Sequence, residues 1–514
     1  MTFPISMNQC SRTASLRRAS SMSLINAGIS YCSSAANNWG TDGYASVFHP
    51  VRGAAAAAAA TAAGLNLSGV NPALYAGGFH NFNPNAGQTD ITQTFNSASD
   101  PQAAVFQWSD PYDTTVPTLV NPPLYSTTGD SEPAPLGNPE TTFTIPTPLT
   151  AGHAYVVTEH ATPQDPSENF DAIVAVIDPN GNTILDQDTG VDETVVFFAQ
   201  VAGTYKVRVH PFATTPPIIG QPAVSTRGHY SLVVNDTVGA VPRITQDFNL
   251  LFFDLSGNFL EAIASNNFAN NRPYEVWVPD LSSFASQVQL VISRANNTTP
   301  PTNMQLKYVF FGNGLTGMGP AEYNNYLTPV TFGHSAAAGA NSVAAYAMFR
   351  PNLPEDFTSP GPVTIYFDTN NNRLATPQVR LKPDIAAADG ANNTFFPLGP
   401  VQDVPFDTDA QYPNFYGTSA ASPHAAAVAA LIIQAHGGSG SLTPAEAKTI
   451  MQSTAFPHDL DPYFASGTAT AHNGVVTVNI TSDNDSNTGT GSNDSNSWSV
   501  TYSGSGYVKE IHFN

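Results

Sequence analysis

Between Asn37 and His334 the chain runs as short apolar stretches in which hydrophobic and polar positions alternate, cut apart by Asn, Asp, Gly and Pro turns. That pattern predicts strands joined by turns, with few helices. Ala104-Val105-Phe106-Gln107-Trp108, Leu250 to Leu255, Val288 to Ile292 and Leu306 to Phe311 read as strands of a sandwich. Within this region, Thr142-Phe143-Thr144-Ile145 through Leu232-Val233-Val234 reads as a separable unit. The pattern changes near both ends. Leu24 to Asn38 reads as a helix end, a stop at Gly28, a buried strand and an Asn turn. Ala425 to Ile433 is unbroken Ala, Val, Leu and Ile, which predicts a buried helix, and Pro423 suits its first turn. His436-Gly437, running into Gly438-Ser439-Gly440, reads as the stop of that helix.

At 514 residues the chain is too long for one core and suggests about three domains. It carries 39 acidic and 17 basic residues, net −22, which argues against nucleic-acid binding and for an acidic, soluble surface. Only 11% of residues are charged, against 42 Pro and 38 Gly, in keeping with many turns. The alanine run from Ala54 to Ala63 is too short and too weakly apolar to span a membrane. Cys10 and Cys32 supply neither a disulfide framework nor a metal cluster, and Cys32 reads as a small core residue.

Chemistry concentrates at Gly417-Thr418-Ser419-Ala420-Ala421-Ser422-Pro423-His424. A small-residue turn delivers Ser419 to the first turn of an apolar helix, where backbone amides favour developing negative charge. These eight residues resemble the serine signature of the subtilisin-like peptidases (subtilases). Two further segments support the resemblance. Leu24 to Asn38 resembles the subtilase strand whose end supplies the oxyanion-hole asparagine, a position taken here by Asn37, with Ala36 where the family has glycine. Arg380-Leu381-Lys382-Pro383-Asp384-Ile385 resembles the structural Lys-Pro-Asp-Ile segment, with Ala388 in place of a proline and Lys382 and Asp384 read as a surface or turn pair.

The resemblance implies a three-layer α/β domain built on a parallel sheet, and endopeptidase hydrolysis of polypeptides with Ser419 as nucleophile and Asn37 in the oxyanion hole. It also implies an aspartate and a histidine upstream of the serine. None of the twelve histidines has the family's His-Gly-Thr-His context. His334 lies in a segment that reads as structural, His424 as a packing residue of the serine motif, and Asp368 as part of an exposed turn before Asn370-Asn371-Asn372. The chain therefore reads as the back half of a subtilase, with Met1 to Ser21 explained by a frameshift or misplaced start and no signal peptide visible. Arg17-Arg18 is followed by too polar a stretch for a twin-arginine signal. In the intact family the setting is extracellular or the cell envelope.

The expected organisation is a first subtilase segment at 1–78, a β-rich insertion at 79–320, a nucleophile-bearing segment at 321–465 and a β-rich tail at 466–514. Within the insertion, 138–236 resembles the pre-peptidase C-terminal β-sandwich of secreted proteases through Phe170 to Asn182 and Ala202 to Val209. Asp171, Asp178, Asn180, Asp186 and Asp188 offer the oxygen donors calcium takes, while turn chemistry accounts for Asp-Pro-Asn-Gly-Asn without a metal; both readings stand. Thr481 to Asn496 is a low-complexity loop, and no closing element is evident by Asn514. The alternative function is a catalytically dead extracellular β-sandwich binding or scaffold protein derived from a subtilase. An open half of an α/β domain would dissolve poorly on its own.

Overall fold

The alternation in the middle of the chain is satisfied by two antiparallel sandwiches. The computed structural model describes residues 24–504 apart from 84, 86, 97–102, 113–116, 132–139, 165–168, 188–191, 212–223, 226, 278–286, 312–321, 324–327, 349–350, 352–353, 369–370, 395–412, 457–463, 472–473 and 482–497. In one sandwich, strand Ala154–Pro163 lies between Asp192–Phe198 and Gly228–Val238, the last also pairing Tyr125–Ser131 and Thr118–Leu119. Its facing sheet runs Thr183–Gln187, Ala172–Ile177, Lys206–Pro211, Thr141–Thr144. Every second residue enters the shared core, as with Tyr155 and Val157, Val174 and Val176, and Leu232 and Val234.

The second sandwich recruits strands from far apart in the chain. Gly43–Val47, Gln305–Phe311, Ala103–Trp108 and Tyr274–Trp277 form one sheet, facing another in which Phe248–Phe253 pairs Gln287–Arg294. Phe248–Phe253 is buried along its whole length because it is covered on both faces. Phe248, Leu250 and Phe252 meet the facing sheet, while Leu251 and Phe253 meet the alanine helix α1 (Gly53–Ala62) through Ala56 and Ala60. The one-turn helix α2 (Asn267–Asn270) places Ala269 in the first sandwich's core. Among the described residues no helix is long and apolar enough to cross a membrane.

Two glutamates break the apolar rule in the first sandwich. Glu159 and Glu193 are directly paired across strands at core-facing positions, both fully buried. Burial first, then the nearby Glu193 and Asp192 carboxylates, push the Glu159 carboxyl up to about 8, from 4.5 as the ordinary value. The folded chain thus holds a proton that the unfolded chain releases, so stability falls as pH rises through that window. Glu159→Gln removes the titration. It is expected to melt at least several degrees above the parent at pH 8 and close to it at pH 4, in roughly the range that a few kcal/mol produces. Coincident melting curves at pH 8 would contradict this account.

The expected three-layer α/β parallel-sheet domain is overturned. The chain is mostly antiparallel β, and parallel pairing among the described residues is confined to one three-stranded sheet and a two-residue ladder at 169–170 and 224–225. In that sheet Asn341–Ala347 lies between Cys32–Ser34 and Ile385–Asp389. Parallel strands need crossovers that cover the sheet, but here the link from the first strand to the second runs through both sandwiches, whose alternating sequence pairs as antiparallel strands.

Helices α3 (Thr418–Ala435) and α4 (Pro444–Thr454) pack against this sheet. Ala421, Ala425 and Ala429, four residues apart, let α3 lie close on Val343 and Ala345, with Met451 of α4 beside them. A buried helix was expected at Ala425 to Ile433; instead one stripe of it is buried, and Val428 and Leu431 stand 50% and 63% exposed. A single sheet covers one side of a helix only.

The pair Lys382 and Asp384, expected at the surface, is buried. Asp384 accepts from Lys382 Nζ and Lys448 Nζ at 2.5 Å each and from the Ser342 amide at 2.7 Å, joining α4 to two strands of the sheet. Both lysines also donate to the Ala340 carbonyl. Burial pushes the Lys382 ammonium down, against the Asp384 carboxylate that pulls it up. Beyond α4, Phe464–Ala471, Gly474–Thr481 and Trp498–Gly504 form a three-stranded antiparallel sheet. The loop expected after Thr481, and Cys10 with the segment before Ser21, lie outside the described residues.

Candidate active site

The parallel strands end on the turn that leads into α3, and this brings distant parts of the sequence together. Asn37 follows the strand Cys32–Ser34; its Oδ1 accepts from the Thr418 amide at 2.9 Å and the Thr418 hydroxyl at 2.7 Å, across 381 residues. Asp389, fully buried at the end of its strand, accepts from the Gly417 amide through Oδ2 at 2.6 Å. The turn is gripped from both sides: Asp389 holds the residue that caps α3, and Asn37 holds the first residue of the helix.

Backbone geometry explains the glycine. Gly417 sits at φ +114, and a Cβ there would lie 2.9 Å from Asn37 Nδ2. Ala36, which precedes Asn37, sits at φ +89, where a side chain is strained. Its carbonyl accepts from the Ser359 amide, and the Ser359 hydroxyl accepts from the Asn38 amide, so the Asn turn is pinned in that conformation.

Three polar groups at or against this turn have no partner among the described residues. The Ala420 and Ala421 amides bond to the Gly417 carbonyl and the Thr418 amide to Asn37, but the Ser419 amide has no acceptor among the described residues. The Ser419 hydroxyl and Asn37 Nδ2 likewise make no hydrogen bond to a described residue, and both residues are exposed. Two N–H donors and a hydroxyl at a helix N-terminus form an arrangement able to hold an oxyanion beside a nucleophile.

The other residues weighed from sequence lie elsewhere. His424 uses Nδ1 on the Ala388 carbonyl at 2.6 Å, His334 Nδ1 meets the Tyr31 hydroxyl at 3.0 Å, and His436 caps the end of α3. Asp368 closes a hairpin turn with Asn372. Asp178 takes the Asn180 and Asn182 amides, Asp186 meets His210 and Arg208, and Asp188 lies outside the described residues. Among the described residues no three His, Cys, Asp or Glu side chains converge as metal ligands. Asp389 and Thr418 were missed as holders of the turn. Their roles depend on the strand Ile385–Asp389 ending beneath Gly417, which no local pattern reports.

The family model of the subtilase family matches residues 266–496, a span that includes Ser419 and Lys382-Pro383-Asp384 but not Asn37. No curated protein matches the chain. Among solved structures, the CspB protease of Clostridium perfringens aligns over 60% of this chain and 46% of its own, at 12% identity and a TM-score of 0.16. The chain thus spans less than half the length of that protease. The VP2 subviral particle of infectious bursal disease virus aligns over 48% of this chain and 49% of its own, at 12% identity and a TM-score of 0.13.

Proposed function

We propose that the chain carries the nucleophile and oxyanion hole of a subtilisin-like serine endopeptidase. In the intact family's arrangement Ser419 Oγ attacks a peptide carbonyl, a histidine upstream of the serine takes the hydroxyl proton and returns it to the leaving amine, and the oxygen that becomes negative is held by the Ser419 amide and Asn37 Nδ2. The observation that carries this reading is that Asn37 Oδ1 accepts from the Thr418 amide and hydroxyl, leaving Asn37 Nδ2 and the Ser419 amide without an acceptor among the described residues. The subtilase match over 266–496, which includes Ser419, supports the nucleophile half of this assignment. In this reading 138–236 is an inserted unit of the pre-peptidase C-terminal kind, the substrate is a polypeptide, and the setting is extracellular or the cell envelope.

A second reading, a binding or scaffold protein that keeps the turn without the chemistry, is favoured by one observation. The Ser419 hydroxyl bonds to no histidine among the described residues, and His424, five positions on, is committed to Ala388. A fluorophosphonate probe on the full chain separates the two. Covalent labelling that disappears in Ser419→Ala, with an unchanged melting temperature, is the expected result; a folded chain that takes no label is the scaffold.

A further inference from the structure

The two sandwiches share one strand order. Asp192–Phe198, Ala154–Pro163, Gly228–Val238 and Tyr125–Ser131 lie side by side in the first, and Tyr274–Trp277, Ala103–Trp108, Gln305–Phe311 and Gly43–Val47 lie side by side in the second. Each sheet has a buried glutamate on its first strand, and the rows across it read Glu193, Glu159, Leu232 and Glu275, Phe106, Tyr308. Val234 and Phe310, two residues further along, therefore hold the same place. The Val234 carbonyl accepts from the Leu124 main-chain amide at 2.8 Å, at the start of the entering strand. In the second sandwich the entering strand begins at Gly43, opposite Val309, and the Phe310 carbonyl accepts instead from a side chain, Asn38 Nδ2 at 2.5 Å.

Asn38 directly follows Asn37. It is buried, and its main-chain amide donates to Ser359 Oγ at 2.9 Å. The Ser359 amide donates to the Ala36 carbonyl at 3.0 Å, and the Ser359 carbonyl accepts from Thr331 Oγ1 at 2.6 Å. Both neighbours of Asn37 are thus held by one buried serine, and the Phe310 bond fastens the second of them to the sandwich. Phe310 is itself immobilised, with its ring edge-on to those of Tyr308 and Trp277 in the core. Such anchoring matters here because Ala36, at φ +89, holds a strained conformation that persists only where its surroundings impose it. A hydrogen-bond donor aimed at a reacting atom must be held to within roughly 0.5 Å.

We infer, resting on the reading of Asn37 as an oxyanion donor, that Asn38 is a positioning residue for the oxyanion hole and that the second sandwich is the body it is anchored to. Asn38 acts through Asn37. By fixing the main chain on the far side of Asn37, it sets where Oδ1 meets Thr418 and where Nδ2 stands relative to Ser419. The second sandwich is then a working part of the site, and a displacement of strand Gln305–Phe311 moves the oxyanion donor with it.

The test compares Asn38→Ala with Asn249→Ala in the full chain. Asn249 is buried in the facing sheet of the same sandwich and donates Nδ2 to the Leu74 carbonyl at 2.9 Å, so its variant deletes the same kind of bond elsewhere. Asn38→Ala is expected to slow fluorophosphonate labelling about 10–100-fold, the scale of a misplaced catalytic group, and to speed exchange of the Thr418 amide. Asn249→Ala should match the parent in both while melting no higher than Asn38→Ala. Ser359→Ala, which removes the other acceptor of Asn38, should move both readouts the same way and carries the test if Asn38→Ala does not fold. Equal labelling and equal Thr418 exchange in the Asn38 and Asn249 variants overturn the positioning role. If the parent takes no label, the catalytic reading falls separately, and Thr418 exchange decides: faster in Asn38→Ala than in Asn249→Ala upholds the positioning of Asn37, and equal rates overturn it.

Discussion

Asp384→Ala is expected to unfold the parallel sheet and its two helices while both sandwiches stay folded. The carboxylate is the common acceptor for Lys382, Lys448 and the Ser342 amide. Without it two ammonium groups are left with the Ala340 carbonyl alone, and the Lys382 side chain is only 2% exposed. Removing one partner from a buried ion pair costs about 3–5 kcal/mol, a large part of the roughly 5–15 kcal/mol that holds a domain together. Here two cations lose the same anion. Asp384→Asn keeps an oxygen acceptor but loses the charge and should fall between. Hydrogen exchange by mass spectrometry reads the effect regionally: protection should vanish in 341–347, 385–389 and 418–454 and persist in 154–163 and 248–253. Undiminished protection over α3 and α4 would show that the three-way pair contributes little.

How far the sequence reports this molecule depends on whether the information is local. Phe248–Phe253, Gln287–Arg294 and Gln305–Phe311 are legible because their side chains fill both or alternate faces of a sheet. The N-terminus of α3 is legible from its glycine and its small residues. The fold class is not, because the motifs that suggested a parallel sheet specify only three short strands, and most of the chain pairs as antiparallel strands. The amphipathic exposure of α3 was hidden for a related reason: an unbroken apolar run does not say which side of the helix will be covered. Lys382 and Asp384 look like a solvated pair until Lys448, more than sixty residues on, reaches the same carboxylate. Asn37 is legible through the resemblance of Leu24 to Asn38 to the subtilase strand end, but its partner Thr418 is seen only once the strands bring the two segments together.

That meeting makes the donor and acceptor halves of one amide separable. Asn37 Oδ1 holds Thr418, whereas Nδ2 is the group assigned to the oxyanion. Asn37→Asp preserves the acceptor and removes the donor, so it is expected to melt with the parent yet react with a fluorophosphonate about 10²–10³-fold more slowly, the cost of one oxyanion donor. Asn37→Ala removes both, and should lose labelling together with protection of the Thr418 amide. Gly417→Ala attacks the same contact from the other side: its Cβ would stand 2.9 Å from Asn37 Nδ2 at a φ of +114, so the Asn37 amide or the strained turn must give way and the two donors separate. If Asn37→Asp labels as fast as the parent, the amide serves only to cap α3. If it labels slowly while Asn37→Ala and Gly417→Ala lose both label and local protection, the donor acts on the reacting oxygen and the acceptor keeps it in place.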